Sequence, residues 1–455
     1  MGFLGDEYLL ETKTAIELYQ SIKGLPVIDP HNHIDLARVV ENETWTDIWE
    51  VEGETDHYVW QLMRKRGVPE KRITGNADNR EKWNALASVV PDFAGNPTYE
   101  WIHLDLKRRF GIEKPLTADT ADEIWVRTKD QLTKPEKRPQ AVLREMNVEL
   151  LCSSDDPTSR LEYHERAKNE VKGIDIRPTW RPDRAIHIDR SGWAEFVREL
   201  DEVVETDIDG FTAFLNALEE THEYFSEHGC VACDIGLGTE PVSKPVSVGR
   251  AKDVYAKARR NESLKPAEIR DYRAFLLEFI GELNADVGWV TQLHIGAVRD
   301  YRDQLRDRIG QDAGGDVSTQ EVDPVNDLDH FLDIFDGEMD IVLYLLDPTH
   351  YPSATVVSRT YPNVSIGPAW WFNDSPLGIG NQLERVAAVD LLMNHAGMVS
   401  DSRKIVSYGS RFEMFRRVLA STVGRMVENG RIPYENAERI VHHLAYERPK
   451  ELYGV

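Results

Sequence analysis

Two histidines one residue apart, His31 and His33, lie in LPVIDPHNHID, residues 25–35. Residues i and i+2 of an extended chain face the same side. If the apolar run Leu25–Ile28 is a strand that continues past Pro30, both imidazoles converge. Two neutral imidazoles from one strand suit a first-row divalent cation; the plainer alternative is a polar surface loop. Other polar side chains gather where apolar runs end. Asp155 and Asp156 stand in SSDDP, Arg181 and Arg184 in TWRPDR, and His294 in QLHIGAVR. Asp347 and His350 stand in DPTH, Trp370, Trp371 and Asp374 in AWWFND, and Asp401 and Arg403 in SDSR. Each has an ordinary structural alternative: Asp401 as a helix N-cap, the tryptophans as core, and His294 and His350 as satisfied core histidines.

The elements that would carry these groups follow from the apolar pattern. Eight strands are expected, in order Pro26–Asp29, Glu149–Ser154, Asp175–Trp180, Val231–Gly236, Trp289–Gly296, Ile341–Leu346, Val364–Trp370 and Met398–Ser402. Helical stretches accompany most of them, such as FTAFLNALEETHEYFSEHG after the third. SRFEMFRRVLASTVGRMVENG after the eighth has Phe412, Phe415, Leu419 and Met426 at helical spacing. Alternating strands and helices imply a parallel sheet, and eight such units imply a (β/α)8 TIM-type barrel, which needs about 250 residues. The 455 residues exceed that. The surplus falls in residues 36–148, where DHYVWQLMRKRG, NREKWNALASVV and EWIHLDLKRRFG read as helices. The expected organisation is an N-terminal segment with the first strand (1–35), a helical insertion over the barrel mouth (36–148), and the rest of the barrel with C-terminal helices (149–455). Residues 309–327, rich in Gly and Asp, read as a loop. Barrel enzymes place their chemistry at the C-terminal ends of the strands, which is where the polar groups lie.

Composition removes several functions. Asp and Glu outnumber Lys and Arg 79 to 54, a formal charge of −25. Nucleic acid needs a basic footprint and is not an expected partner. An anionic substrate would need specific arginines working against the global field. No apolar run approaches the roughly 18 residues of a membrane span. The opening MGFLGDEYLLETKT is acidic without an apolar h-region, so no signal peptide is expected, and Asp6 stands where a myristoylation motif wants Ser or Thr. Three cysteines, Cys152, Cys230 and Cys233, fit a reducing compartment, and CVAC lacks the second pair that a zinc site would need. A cytoplasmic location is expected.

Nearly the whole chain resembles the uronate isomerase (glucuronate isomerase) family of the amidohydrolase superfamily. The resemblance rests on DPHNH (29–33), WTDIW (45–49), DHYVWQLMRKRGV (56–68), WIHLDLKRRFGI (101–112), CSSDDPTSRLEYH (152–164), RPTWRPDRA (177–185), GWVTQLHIGAVR (288–299), AWWFND (369–374) and GMVSDSRKIVSY (397–408), in that order. It implies one divalent metal, Zn2+ being the expected ion, on His31, His33 and Asp401. It implies catalytic roles for Asp401, Arg403, Tyr58 and His57, and substrate binding by Arg181, Trp370 or Trp371, and His294. Arg181 and Arg403 are candidate carboxylate clamps, since the guanidinium fork matches a carboxylate. Two departures stand out. The family's Ser-Asp-His after strand four is Cys233-Asp234-Ile235 here, and its late Arg-His-Glu is Arg411-Phe412-Glu413. A pocket shaped by the missing histidine at 235 would alter substrate preference.

The activity implied is aldose–ketose isomerisation of a hexuronate through a cis-enediol, D-glucuronate to D-fructuronate or D-galacturonate to D-tagaturonate, with Asp401 as the proton-transfer base. The competing reading is a metal-dependent hydrolase or deaminase using His294 and His350; against a two-metal form of it, strand four offers no lysine for a bridging carbamate. A non-catalytic sugar-acid binder is a third. The expected partners are the anionic sugar and, in a homo-oligomer, further copies of the chain.

Overall fold

The apolar runs become strands buried on both faces, as a parallel sheet covered by helices requires. The computed structural model describes residues 2–240 and 242–455. Its strands are β1 (Val27–Asn32), β2 (Val148–Asp155), β3 (Asp175–Trp180), β4 (Ala232–Gly238), β5 (Val290–Ile295), β6 (Ala297–Val298), β7 (Val317–Ser318), β8 (Ile341–Leu345) and β9 (Val364–Ile366). Seven form one parallel sheet in the order β1-β2-β3-β4-β5-β8-β9; β6 and β7 form a separate antiparallel ribbon. All residues of β1, β5 and β8 are buried. β1 does run past Pro30, and takes His31 and Asn32 with it.

The sheet is curled, because one irregular segment touches both of its edges. Ala396 N donates to Ile366 O of β9 at 3.0 Å, Asp401 N donates to His31 O of β1 at 3.1 Å, and His33 N donates to Ser402 O at 3.0 Å. This segment was expected to be an eighth strand, Met398–Ser402, and it is not one. Gly397 (φ 90°) and Asp401 (φ 48°) take left-handed backbone that breaks an extended ladder. β9 also stops short of the expected Trp370. Gly367 lies so close to the Tyr344 ring that a Cβ there would sit 2.6 Å from it, and Pro368 has no N–H to give a ladder.

Every regular element between β1 and β2 is helical. Side-chain caps explain several starts. Asp47, Asp56, Asp78 and Asn96 accept backbone N–H groups at the beginnings of Ile48–Glu52, His57–Lys65, Asn79–Val89 and Pro97–Phe110. The longest C-terminal helix, Ser407–Glu428, is buried along most of its length. It packs on Lys13–Ile22 through Gly424, where a Cβ would come within 3.0 Å of Ala15 N. The three cysteines are free and buried. Among the described residues no helix is long and apolar enough to cross a membrane.

Candidate active site

The end of β1 and the segment beside it bring three groups together. His31 Nε2 and His33 Nε2 each lie 3.2 Å from Asp401 Oδ1. The two rings meet edge-on with centroids 5.1 Å apart. Asp29 fixes this register: its carboxylate accepts Ser400 N at 2.7 Å and Ser400 Oγ at 2.6 Å, which ties β1 to the residue before Asp401. Trp370 donates its indole N–H to Asp401 Oδ2 at 2.8 Å. Burial alone would raise the Asp401 pKa, but the two imidazoles outweigh it and hold the carboxylate well below its ordinary range. Burial also opposes charge on both histidines. His33 ends below its ordinary value, whereas Asp234 and Asp401 bring His31 above it.

Asp234, in the middle of β4, is the hub behind this triad. Its Oδ2 accepts Arg181 Nη1 at 2.8 Å and Ser154 Oγ at 2.8 Å, and lies 3.5 Å from His31 Nδ1. Its Oδ1 lies 2.8 Å from His294 Nδ1, a close contact without hydrogen-bond alignment. Burial would raise the pKa of Asp234, but Arg181 and the histidines outweigh it and keep the carboxylate ionised. Burial pushes His294 down to about 4, so that ring is neutral. It stacks on Tyr344 at 4.4 Å and meets Trp370 edge-on at 4.8 Å. Asp234 is not among the site residues expected from the sequence, where it stands inside the apolar run Val231–Gly236. The signal was there, since an aspartate inside a buried run is rare unless it is paired. The same alternation answers the question of Ile235. It shares the other face of β4 with Cys233, toward the helices, and is fully buried there.

Arg181 is largely committed to the protein. Besides Asp234 it gives Nε to Asp183 Oδ2 at 3.1 Å. Gly236 leaves the space for this pair: a Cβ there would lie 2.6 Å from Asp183 Oδ2 and 3.4 Å from Arg181 Nη2. Arg403 is freer. Its nearest carboxylate is Asp312, at 3.9 Å, and its side chain is one-third exposed.

His57 and Tyr58 open the helix His57–Lys65, and the contacts of that stretch reach the sheet's strand ends. Their rings stack 4.9 Å apart, and His57 meets Trp371 edge-on at 5.7 Å. Burial pushes the His57 pKa down to about 4. Tyr58 donates its hydroxyl to Asp374 Oδ2 at 2.8 Å, and Arg411 Nη1 donates to the same oxygen at 2.6 Å. Nearby, buried Lys404 lies 2.8 Å from Glu52, 3.0 Å from Asp105 and 3.7 Å from Asp56, so one ammonium ties two helix ends and the interior of the helix Pro97–Phe110 to the loop that follows Arg403. Arg411 and Lys404 were not read as site residues, because their partners lie tens to hundreds of residues away in the chain.

Other strand-end groups serve local structure. Asp155 accepts Ser153 Oγ at 2.8 Å, Asp156 accepts Thr158 N at 3.0 Å, and Arg184 pairs with Glu199 at 2.7 Å. Asp347 caps a short turn through Thr349 N, and His350 Nε2 lies 3.2 Å from Gln320 O.

The glucuronate isomerase family model matches residues 1–453. The uronate isomerase of Thermotoga neapolitana is 53% identical over 451 residues, covering 99% of each chain. The crystal structure of the uronate isomerase of Thermotoga maritima superposes with a TM-score of 0.98 at 53% identity, covering 100% of both chains. The crystal structure of glucuronate isomerase from Caulobacter crescentus does so with a TM-score of 0.95 at 26% identity, covering 99% of this chain and 96% of that one. By that full-length match the chain belongs to the glucuronate isomerase family.

Proposed function

We propose that this chain interconverts a hexuronate aldose and its ketose, D-glucuronate with D-fructuronate or D-galacturonate with D-tagaturonate. The observation that carries the reading is the convergence, in a chain of this family, of His31, His33 and Asp401 at the end of β1. We further propose that the irregular 396–402 segment closes a (β/α)8 barrel and that the helical residues 36–148 cover its mouth. Three contacts support the cover: Tyr58 on Asp374, Gln61 Nε2 on Gly314 O at 2.9 Å, and Lys404 among its carboxylates.

The donor set fits one divalent cation, with Zn2+ the candidate ion. Two imidazole nitrogens and a carboxylate oxygen lie within 4.8 Å of one another, and such a set suits first-row metals. Behind them the buried His31 Nδ1 and both nitrogens of His294 have no hydrogen-bond partner. His31, His33 and Asp401 would hold the ion, which when bound polarises substrate oxygen and acidifies the neighbouring C–H. Elemental analysis of a His31→Ala, His33→Ala double variant checks this assignment, and stoichiometric metal in it would contradict it.

Asp401 then moves the proton. With Oδ1 facing the histidines, Oδ2 is the oxygen left to take hydrogen from C2, and the Trp370 indole holds it in one rotamer. Its depressed pKa makes it a weak base, so substrate acidification supplies much of the driving force. The proton returns at C1 of the enediol. Arg403, one-third exposed and 3.9 Å from its carboxylate neighbour Asp312, is the guanidinium free to hold the C6 carboxylate, which fixes which end of the sugar meets Asp401. Hydrolysis at a two-metal centre is not favoured, since β4 offers Asp234 and no lysine to carry a bridging carbamate. The test is incubation with each hexuronate and detection of the ketose by NMR. Ketose formation supports the isomerase; amide or amine cleavage without it would replace the reading.

A further inference from the structure

Residues 400–404 alternate in exposure. Ser400, Ser402 and Lys404 are buried, whereas the side chains of Asp401 and Arg403 are 14% and 33% exposed. The two open side chains stand on a strip of backbone that is held through the buried ones. Ser400 is bound to Asp29, Lys404 N donates to Ser402 Oγ at 3.1 Å, and Lys404 O accepts Ser407 Oγ at 2.7 Å. These ties reach β1 or stay within the segment and the helix that follows it. The Lys404 side chain reaches further, into the helices between β1 and β2. Its Nζ donates to Glu52 Oε2 at 2.8 Å and lies 3.0 Å from Asp105 Oδ2 and 3.7 Å from Asp56 Oδ2. Glu52 ends the helix Ile48–Glu52, Asp56 caps the helix His57–Lys65, and Asp105 stands inside the helix Pro97–Phe110. Burial opposes charge on this ammonium, but the three carboxylates outweigh it and hold its pKa above the ordinary lysine value.

We propose that Lys404 is a positioning residue that aims Arg403: by fixing residues 400–404 to three helices of the insertion, it sets where the Arg403 guanidinium meets the carboxylate of the sugar. The inference rests on the isomerase reading above and deepens it. Among the described residues Arg403 has one carboxylate neighbour, Asp312 at 3.9 Å, and that partner is itself mostly exposed. Little therefore holds the guanidinium from its own end, and its aim is set from its backbone. A paired guanidinium and carboxylate demand a defined fork geometry, so a small shift of the backbone at 403 loses binding before it loses the fold. Lys404 is the next residue along, and a fully enclosed ammonium among carboxylates is not free to move.

The experiment is a double-mutant cycle, run on whichever of D-glucuronate and D-galacturonate the wild type turns over faster. It compares wild type, Lys404→Met, Arg403→Met and the two changes combined, with thermal unfolding of each. Lys404→Met strands buried carboxylates. Where it does not fold, Lys404→Met joined to Glu52→Gln and Asp105→Asn takes its place in both backgrounds. Removing Lys404 should raise KM about tenfold in the wild-type background, part of the worth of a charge-assisted bond, with kcat within about twofold. In the Arg403→Met background the same change should move KM by less than about twofold, the scatter of such cycles, because the group it aims is gone. An equal KM penalty in both backgrounds, or a fall in kcat at unchanged KM, would show that Lys404 serves the fold or Asp401 and overturn this inference alone. A wild-type KM in Arg403→Met would place the clamp elsewhere and remove the inference with it. A wild type that forms no ketose from either hexuronate would overturn the isomerase reading.

Discussion

Asp234 of β4 and Arg181, the residue that follows β3, meet through a 2.8 Å bond in which the fully buried carboxylate accepts Nη1 of the arginine. The arginine that the sequence offers as a carboxylate clamp is thus also the counter-charge of a buried aspartate. Arg181→Met leaves Asp234 unpaired, and breaking a buried pair from one side costs about 3–5 kcal/mol. Its turnover should fall alike on a uronate and on a neutral aldose, with a lowered Tm. Arg403→Met should instead raise KM for the uronate roughly ten- to hundredfold, the range of a charge-assisted bond, and spare the neutral sugar. A selective uronate defect in Arg181→Met with unchanged Tm would return the clamp to Arg181.

The family histidine missing at position 235 should not matter to specificity. Ile235 lies on the helix side of β4, opposite Asp234. Ile235→His would bury an imidazole without a partner, at a cost of about 1–3 kcal/mol. The Tm should fall while the ratio of kcat/KM on D-glucuronate and D-galacturonate stays that of the parent. A changed ratio with unchanged Tm would place this side chain in the pocket.

The Lys404 cluster carries a pH signature. Burial, with Asp105 and Asp56 nearby, raises the Glu52 pKa to about 8 in spite of Lys404. An acid whose folded pKa exceeds its unfolded value stabilises the fold fully below the unfolded pKa, near 4.5, and that stability is lost as pH rises through about 8. Glu52→Gln keeps an acceptor for Lys404 and removes the titration. Relative to wild type, its Tm should therefore improve between pH 5 and pH 9. A Tm difference independent of pH would show that Glu52 does not titrate in this window.

Legibility in the sequence followed the range of the interactions. Strands β1, β5 and β8 were readable because every residue in them is buried, and β2 to β4 because most of theirs are. The helices His57–Lys65, Asn79–Val89 and Pro97–Phe110, capped by Asp56, Asp78 and Asn96, were readable from local pattern too, whereas the short helix Ile48–Glu52 was not among those expected. His31 and His33 declared themselves through local spacing. What failed depends on distant partners or local backbone. Met398–Ser402 has strand-like composition, yet the positive φ of Asp401 and its bonds to β1 make it irregular. The expected loop, residues 309–327, is irregular except for Ile309, which ends the helix Asp303–Ile309, and the two residues of β7. Arg411 and Asp374 are 37 residues apart, and Tyr58 lies 316 residues from Asp374. No periodicity announces such a meeting; the family resemblance named Tyr58 but not what holds it.

The central claim is proton transfer by Asp401 between C2 and C1 of a hexuronate, and D-glucuronate deuterated at C2 tests it most directly. Wild type should wash the label into solvent or carry part of it to C1 of the ketose. Asp401→Asn cannot take a proton, and losing a general base costs about 10²–10⁴ in rate, so the variant should lose both label exchange and ketose formation by at least that order. Metal content is measured on the same samples, with the variant reconstituted to wild-type occupancy. A metal-replete Asp401→Asn protein that still exchanges the C2 label at the wild-type rate would contradict the account.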